Sequence, residues 1–173
     1  MFIKTERLIL KPYSDKNRGA MIDLLTNSEI KKTFMIPELE TEEKRIKMFN
    51  KIKSRSVSDE HYEAGIFLND ILIGFLNDVE ICEDKIELGY VINPQYHNCG
   101  YATEALKASI DHLFERGFSE IIAGAFEDNA SSIKVMLKCG MKQMKKQDNI
   151  EYQGIIHHCS YYSISRKDVM NML

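Results

Sequence analysis

The segment with the clearest chemical potential is Asn93–Ala105, which reads Asn-Pro-Gln-Tyr-His-Asn-Cys-Gly-Tyr-Ala-Thr-Glu-Ala. A predicted strand ends before it, a short polar loop with Gly100 follows, and a helix begins. The first turn of a helix carries backbone N–H groups without intrahelical acceptors and a partial positive charge, so it suits a phosphate. Gly100 and Ala102 leave room for a pyrophosphate to approach the backbone. The spacing therefore indicates a phosphate-binding loop.

Other phosphate-binding and metal-binding motifs are missing from the sequence. It contains neither a GxxxxGK[ST] P-loop nor a GxGxxG dinucleotide fingerprint. The cysteines form no CxxC pair, so we expect neither a zinc knuckle nor a dithiol redox motif, and we predict no metal site. A glycine before a helix is also typical of an ordinary strand-to-helix turn, so the loop alone leaves its function open. The four cysteines are Cys82, Cys99, Cys139 and Cys159.

Length and composition predict one folded domain over residues 1–173. Apolar residues make up 44% and charged residues 28%, which disfavours a disordered chain, and the net charge of −3 disfavours a nucleic-acid binder. The longest apolar runs, such as Ile121–Phe126, are far shorter than the roughly 20 residues of a membrane span. Met1–Arg7 lacks the apolar region of a signal peptide. We therefore expect a cytoplasmic protein with reduced thiols and with no nucleic-acid or membrane partner.

Hydrophobic periodicity places the loop within a series of strands and helices. Helices are predicted after Ser14 and after Thr41, with an irregular segment around Glu29–Pro37 between them, and a short helix is expected in Ser165–Leu173. Two further helices are predicted at Gly100–Arg116 and Asn129–Cys139. Strands are predicted at Thr5–Lys11, Tyr62–Leu68, Ile71–Asn77, Lys85–Ile92, Ser119–Phe126, near Met141–Gln147 and at Ile155–Ile164.

The order β-α-α-β-β-β-α-β-α-β-β predicts an α/β fold with an α+β mixed sheet. The sheet should be mostly antiparallel, with one parallel β-α-β unit and helices on both faces. Asn69-Asp70, between two of the strands, is predicted to form a two-residue hairpin turn.

Several segments together resemble the GNAT superfamily of N-acetyltransferases, and their flanks resemble its RimJ/RimL-type branch. The acetyl-coenzyme A loop of that family reads Gln/Arg-x-x-Gly-x-Gly/Ala. Here the loop matches at Gly100 and Ala102 and departs from the pattern at His97. The resemblance follows nearly the whole chain in order, and it implies the GNAT fold, acetyl-coenzyme A as cofactor and coenzyme A as product. The resembling segments are Thr5–Leu10, Glu87–Pro94, Gly100–Ala105, Asn129–Ser132 and Lys138–Met141.

The resemblance also implies which residues bind the cofactor. A backbone N–H near Val91 or Ile92 would donate to the oxyanion, because the family's strand is bulged there and splays from its parallel neighbour. Asn129 is a plausible helix N-cap and is also implied to lie near the pantetheine arm. The full set of implied cofactor-binding residues is Val91, Ile92, His97, Asn98, Cys99, Gly100, Tyr101, Ala102, Thr103, Asn129 and Ser132.

Acyl transfer to an amine requires the amine to lose its proton, since an alkylamine is mostly protonated near neutral pH. Glu87 is the candidate general base, because it alternates with the apolar residues of its strand and the resemblance puts this strand beside the acetyl group. A solvent-facing strand glutamate is the alternative interpretation, and Glu80 and Glu83 are alternative bases near a predicted turn.

The general acid is a separate question. Many family members carry a tyrosine that acts as the proton donor where this chain has Met136. The resemblance implies Ser132 as the general acid instead, although Ser132 could also be an ordinary serine at the start of a helix.

These observations predict an N-acetyltransferase that moves an acetyl group directly to a primary amine in a ternary complex. Residues 14–60 and the last hairpin are expected to form the acceptor groove, while the acceptor stays open among a peptide N-terminus, a polyamine, an amino sugar and a small metabolite. A homodimer also stays open. One alternative is a non-catalytic acyl-coenzyme A-binding or sensor domain, which His97, Cys99 and Met136 would permit. Another is a thiol hydrolase with a Cys99–His97 nucleophile pair, because a helix N-terminus lowers a thiol pKa.

Overall fold

The structure is a computed structural model that describes residues 1–170. Two 3₁₀ turns, Asp15–Asn17 and Pro94–Tyr96, precede helices. The helices are α1 (Arg18–Thr26), α2 (Ser28–Lys31), α3 (Glu42–Ser56), α4 (Tyr101–Glu115), α5 (Ala130–Lys138) and α6 (Arg166–Met170). The strands are β1 (Ile3–Lys4), β2 (Leu8–Lys11), β3 (Glu63–Leu68), β4 (Ile71–Cys82), β5 (Lys85–Ile92), β6 (Glu120–Phe126), β7 (Lys142–Tyr152) and β8 (Ile155–Ser165).

The eight strands form one mixed sheet in the order β1-β2-β3-β4-β5-β6-β8-β7. β5 and β6 run parallel, from the pair Lys85–Glu120 to the pair Glu87–Ile122. The pairs β1–β2, β2–β3, β3–β4, β6–β8 and β7–β8 are antiparallel. The parallel strands need a crossover connection, and α4 supplies it. The structure thus confirms the predicted mixed α/β fold with one parallel β-α-β unit.

The chain forms two compact units, and β4, β5 and α4 each contribute to both. The first unit contains residues 1–77 and 90–105. Its core is built by α1, α3 and the strands β3 and β4. α3 follows Thr41 as the sequence predicted, and the Thr41 side chain caps it by accepting a hydrogen bond from the Lys44 N–H. The buried core residues of this unit are Tyr13, Met21, Leu24, Leu25, Ile30, Ile36, Leu39, Phe49, Phe67, Leu72, Phe75 and Val91.

The second unit contains residues 78–89 and the chain from residue 106 onward. Leu106, Ile110 and Leu113 of α4 are buried. Gly117 ends this helix with a φ of 103° and donates its N–H to the Phe114 carbonyl, as expected for a C-terminal glycine. A separate apolar cluster of β6 and β8 consists of Phe126, Cys159 and Tyr161.

Two predicted segments were wrong in detail. The segment around Glu29–Pro37 is not wholly irregular, because it overlaps α2. The Asn27 side chain accepts hydrogen bonds from the N–H groups of Glu29 and Ile30, which starts this short helix. The strand predicted at Thr5–Lys11 is β2, which begins at Leu8, because the Thr5 hydroxyl bonds to the Leu8 backbone and closes a turn there. The short strand β1 before it was not predicted.

Several boundaries also move. β4 continues past Asn77 to Cys82, and β7 continues to Tyr152. Asn69 and Asp70 have φ values of 47° and 64°, so the predicted hairpin turn is confirmed. The C-terminal helix is found at Arg166–Met170. Ser165 of its predicted range is the last residue of β8, and residues 171–173 lie outside the described residues.

Candidate active site

The predicted phosphate loop links the end of β5 to the start of α4. The Asn93 side chain accepts a hydrogen bond from the Gln95 N–H and starts the 3₁₀ turn at Pro94. The Glu104 N–H donates to the Gly100 carbonyl at 3.0 Å, which is the first turn of α4. The first N–H groups of an α-helix in general lie ahead of its hydrogen-bond ladder and point out of the helix end. This arrangement is suited to an anion, as the sequence predicted.

The loop backbone takes up the left-handed conformation twice. The φ of Asn98 is 60° and that of Gly100 is 81°. Asparagine and glycine adopt this region with the least strain. Residues that alternate in this way turn successive N–H groups toward one concavity, which is a common anion-binding arrangement. The backbone at Asn98 and Gly100 thus has the kind of conformation that binds anions.

His97 and Cys99 contribute to the loop in ways that the sequence did not suggest. The His97 Nε2 lies 2.8 Å from the Ile92 carbonyl oxygen, which only accepts, so Nε2 carries the proton and donates it. The exposed Cys99 thiol donates to the His97 carbonyl oxygen at 3.4 Å. This contact joins the thiol to the backbone of His97 and not to its ring, so it gives the nucleophile-pair hypothesis no support.

An ion pair between Arg7 and Glu104 lies beside the loop, with an Nη2–Oε2 distance of 2.6 Å. The Arg7 Nη1 also donates to the Cys99 carbonyl oxygen at 2.9 Å. Sequence reasoning missed this contact, although both residues belong to segments that carry the GNAT resemblance. Residues this far apart in the chain show no local pattern that pairs them.

The end of β5 approaches β4 closely at Gly74. A methyl group on Gly74 would lie 2.2 Å from the Val91 carbonyl oxygen, so only glycine fits there. The pairing of β3 with β4 shifts by one residue next to Gly74, where Ile73 is the extra residue of a bulge. The Ile73 carbonyl accepts the Asn93 N–H at 2.7 Å. These contacts hold Val91 and Ile92, the predicted oxyanion residues, against β4.

Glu87 is half-buried on β5 at the last residue pair of the parallel ladder. Burial raises the pKa of its carboxyl group, and the nearby carboxylates of Glu80 and Asp148 raise it further, whereas the Lys146 ammonium lowers it. A pKa shifted in this way is common for the acids and bases of active sites. The two alternative bases are exposed, with Glu80 near the end of β4 and Glu83 in the following turn.

Tyr161 of β8 belongs to the surroundings of Glu87 and was missed by sequence reasoning. Its pKa is raised by burial and by a hydrogen bond to Asp148, with a further contribution from Glu87. The Lys146 ammonium lies 3.9 Å from the centre of the tyrosine ring. The ring packs on Gly124 of β6, where a methyl group would lie 3.0 Å from Cε1. A tyrosine in an apolar strand is typical of a core residue, so no local pattern indicates that Tyr161 lies near Lys146, Asp148 and Glu87.

The start of α5 has the predicted cap. The Asn129 side chain accepts a hydrogen bond from the Ser132 N–H at 3.2 Å. Ser132 is half-buried in the first turn. Met136 is fully buried, and it presents a thioether where the resemblance leads us to expect a tyrosine. No proton donor can come from that position.

Two further findings concern the described residues. Among residues 1–170, no group of three or more His, Cys, Asp or Glu side chains is placed to hold a metal ion. Within the same residues, no helix has the length and apolar character needed to cross a membrane.

A sequence model described as "Acetyltransferase (GNAT) domain" matches residues 7–142. An uncharacterized N-acetyltransferase of Bacillus subtilis, YnaD, is 34% identical over 146 residues, which cover 83% of this chain and 84% of the relative.

Two solved structures show the same fold. A GNAT-family acetyltransferase from Bacillus anthracis is 29% identical with a TM-score of 0.82, covering 96% of this chain and 99% of that one. RimL, a ribosomal L7/L12 alpha-N-protein acetyltransferase in complex with coenzyme A, has a TM-score of 0.81 at 19% identity, covering 95% and 98% of the two chains.

Proposed function

Because the chain belongs to the GNAT family of acetyltransferases, we propose that it moves an acetyl group from acetyl-coenzyme A to a primary amine. The transfer is direct, in a ternary complex, without an acyl-enzyme. One observation carries the proposal. It is the backbone at Asn98 and Gly100, which turns the loop N–H groups together at the start of α4.

Acetyl-coenzyme A is the donor, and its pyrophosphate is the group that fits the loop. The binding groups are backbone N–H groups, so the side chains of His97 and Cys99 are not its ligands. The pantetheine arm is assigned to the residues at the start of α5 and the acetyl group to the end of β5. The proposed donor-binding residues are Val91, Ile92, His97, Asn98, Cys99, Gly100, Tyr101, Ala102, Thr103, Asn129 and Ser132.

Glu87 is the proposed general base, acting directly or through a water molecule. It removes a proton from the amine, the nitrogen then bonds to the acetyl carbon, and the carbon–sulfur bond breaks. A backbone N–H of Val91 or Ile92 donates to the oxygen that becomes negative. As the carbon–sulfur bond breaks, the nitrogen loses a second proton. Ser132 is the proposed donor to the departing thiolate, and its hydroxyl regains a proton from that nitrogen, so the products are the amide and the coenzyme A thiol. The raised pKa of Glu87 supports this assignment, because a base works best when its pKa lies nearer the working pH.

A peptide N-terminus is the acceptor that we propose to test first. The resemblance to the RimJ/RimL-type branch supports it, and the carboxylates around Glu87 favour a cationic amine. Polyamines and small metabolites belong in the same panel. The single-domain organisation, the cytoplasmic location and a homodimer stay predictions.

A non-catalytic acyl-coenzyme A sensor is the second candidate, because Met136 offers no proton donor. Isothermal titration with acetyl-coenzyme A, coenzyme A and ATP tests the binding shared by both candidates. An amine panel with detection of free thiol then separates them. Tight binding of acetyl-coenzyme A with thiol release confirms the transferase. Binding without thiol release favours the sensor, and no binding of either coenzyme overturns both.

A further inference from the structure

The Glu104 carboxylate in the first turn of α4 is held by residues from the N-terminal segment of the chain. Its Oε1 accepts from the Thr5 hydroxyl at 2.6 Å and from the Arg7 N–H at 2.9 Å. Its Oε2 accepts from the Arg7 Nε at 2.7 Å and from Nη2 at 2.6 Å. The Glu104 side chain is only 16% exposed, so the pair is partly shielded from water. Two nitrogens of the guanidinium bond to the same carboxylate oxygen, and these charge-assisted contacts fix the guanidinium in one orientation.

The same guanidinium touches three consecutive residues of the phosphate loop. Its Nη1 donates to the Cys99 carbonyl oxygen at 2.9 Å. Its Nη2 would lie 3.4 Å from a methyl group on Gly100, and its central carbon lies 4.6 Å from the centre of the Tyr101 ring. Arg7 therefore packs along the side of the loop backbone.

The contact with Cys99 determines where the next N–H points. The peptide bond is planar and trans, so its C=O and N–H groups point in opposite directions. Because the Cys99 carbonyl points toward Arg7, the Gly100 N–H points away from Arg7. The left-handed φ of Gly100 then continues into the first turn of α4.

We propose that Arg7 and Glu104 are positioning residues for the coenzyme A pyrophosphate. Glu104 orients Arg7, Arg7 holds the Cys99 carbonyl, and the loop N–H groups are thereby kept in the orientation that binds phosphate. Arg7 also neutralises a carboxylate that would otherwise repel the phosphate. This inference rests on the proposed function. It explains how the loop can bind phosphate although its sequence has no Lys or Arg between His97 and Thr103.

The test compares two acetyl donors, because only one of them has a pyrophosphate. Arg7→Met should raise the KM for acetyl-coenzyme A by about tenfold or more, as expected for the loss of a hydrogen bond from a charged donor. With S-acetyl-pantetheine, kcat/KM should stay within about twofold, since that donor does not reach the loop N–H groups. Lys11→Met is the matched control, because Lys11 forms a comparable 2.9 Å ion pair with Asp70 in the same unit. It should change neither donor's kinetics.

The double variant Arg7→Met/Glu104→Gln adds a second readout. In Arg7→Met the Glu104 carboxylate is left without its cation near the phosphate, so removing its charge should recover part of the lost affinity. Arg7→Lys keeps the charge but loses the fork, and it should fall between Arg7→Met and the wild type. This conservative variant also serves if Arg7→Met does not fold.

The outcomes separate this inference from the proposed function. If wild-type protein neither binds acetyl-coenzyme A nor releases thiol, the proposed function fails and the inference fails with it. If the wild type is active and the Arg7 variants keep their KM for acetyl-coenzyme A, only the positioning role is overturned. An equal loss with both donors would likewise overturn it, because that result indicates a general structural defect.

Discussion

The phosphate loop in the first unit and the surroundings of Glu87 in the second differ in the groups that are proposed to act, which are backbone groups in the loop and a side chain at Glu87. In the loop, the proposed binding groups are backbone N–H groups, and the Arg7 side chain bonds to the backbone carbonyl of Cys99. Around Glu87, the proposed reactive group is a side chain, and its pKa is raised by burial and changed by neighbouring charges. The loop therefore depends on conformation, whereas the Glu87 site depends on the identity of one residue.

This difference explains which departures from the family pattern the chain tolerates. His97 replaces the more usual Gln or Arg, and its ring turns to the Ile92 carbonyl at the end of β5. The loop can keep its backbone conformation with this replacement because Asn98 and Gly100 supply the left-handed residues. No comparable replacement is expected for Glu87, since proton transfer needs an ionisable group at that point.

The largest effect is expected from Glu87→Gln. Removing a general base typically lowers kcat by about 10²-fold to 10⁴-fold, and the amide cannot accept the proton. Affinity for acetyl-coenzyme A, measured by titration, should stay within about twofold, because the loop is untouched. Glu83→Gln, in the exposed turn after β4, is the control and should leave kcat unchanged. An unchanged rate for Glu87→Gln would remove Glu87 as the base.

Gly74→Ala tests the dependence of the first unit on backbone fit. The added methyl group would lie 2.2 Å from the Val91 carbonyl oxygen, so β4 or β5 must shift. Overpacking of this kind costs about 3 kcal/mol, which should lower the Tm by roughly 6–12 °C. Thermal unfolding by circular dichroism measures it. Gly19→Ala in α1 is the matched control, because nothing lies within 4 Å of its added methyl group. A Gly74→Ala protein with wild-type Tm would contradict the close contact.

The pH dependence of stability sharpens the other half of the comparison. Burial raises the folded-state pKa of Glu87 above the ordinary carboxyl value of 4.5. The unfolded chain then loses this proton at lower pH, so the Glu87 contribution to stability falls as pH rises through the folded-state pKa. Glu87→Gln cannot ionise, so its Tm relative to wild type should increase from pH 4 to pH 8. A relative Tm that decreases over this range would show that the site favours the charged carboxylate.

The parts of the fold that the sequence predicted are those set by local patterns. The bounds of β5, Lys85–Ile92, agree with its alternating residues, and α4 agrees with its apolar periodicity and its Gly117 stop. The candidate phosphate loop could be predicted from the sequence because Gly100 directly precedes α4. The short helix α2 was missed although its signal is local, since Asn27 is a favourable N-cap.

The missed features depend on contacts between distant parts of the chain. Arg7 and Glu104 are 97 residues apart, and neither shows a local pattern that indicates the other. The orientation of Tyr161 depends on the absence of a side chain at Gly124, which lies on another strand. The raised pKa of Glu87 likewise comes from burial and from charges on other strands. Such effects require the tertiary structure.

Cys99→Ala should have the smallest effect, and it tests the claim that loop side chains are not ligands. Arg7 binds the Cys99 carbonyl oxygen, which alanine also has, and the Cys99 thiol donates to the backbone carbonyl of His97. We expect kcat and the KM for acetyl-coenzyme A to stay within about twofold of wild type, as for an exposed surface substitution. Steady-state kinetics with thiol detection measures both. A loss of turnover with unchanged donor affinity would instead make the thiol a nucleophile, and the loop would then depend on a side chain just as the Glu87 site does.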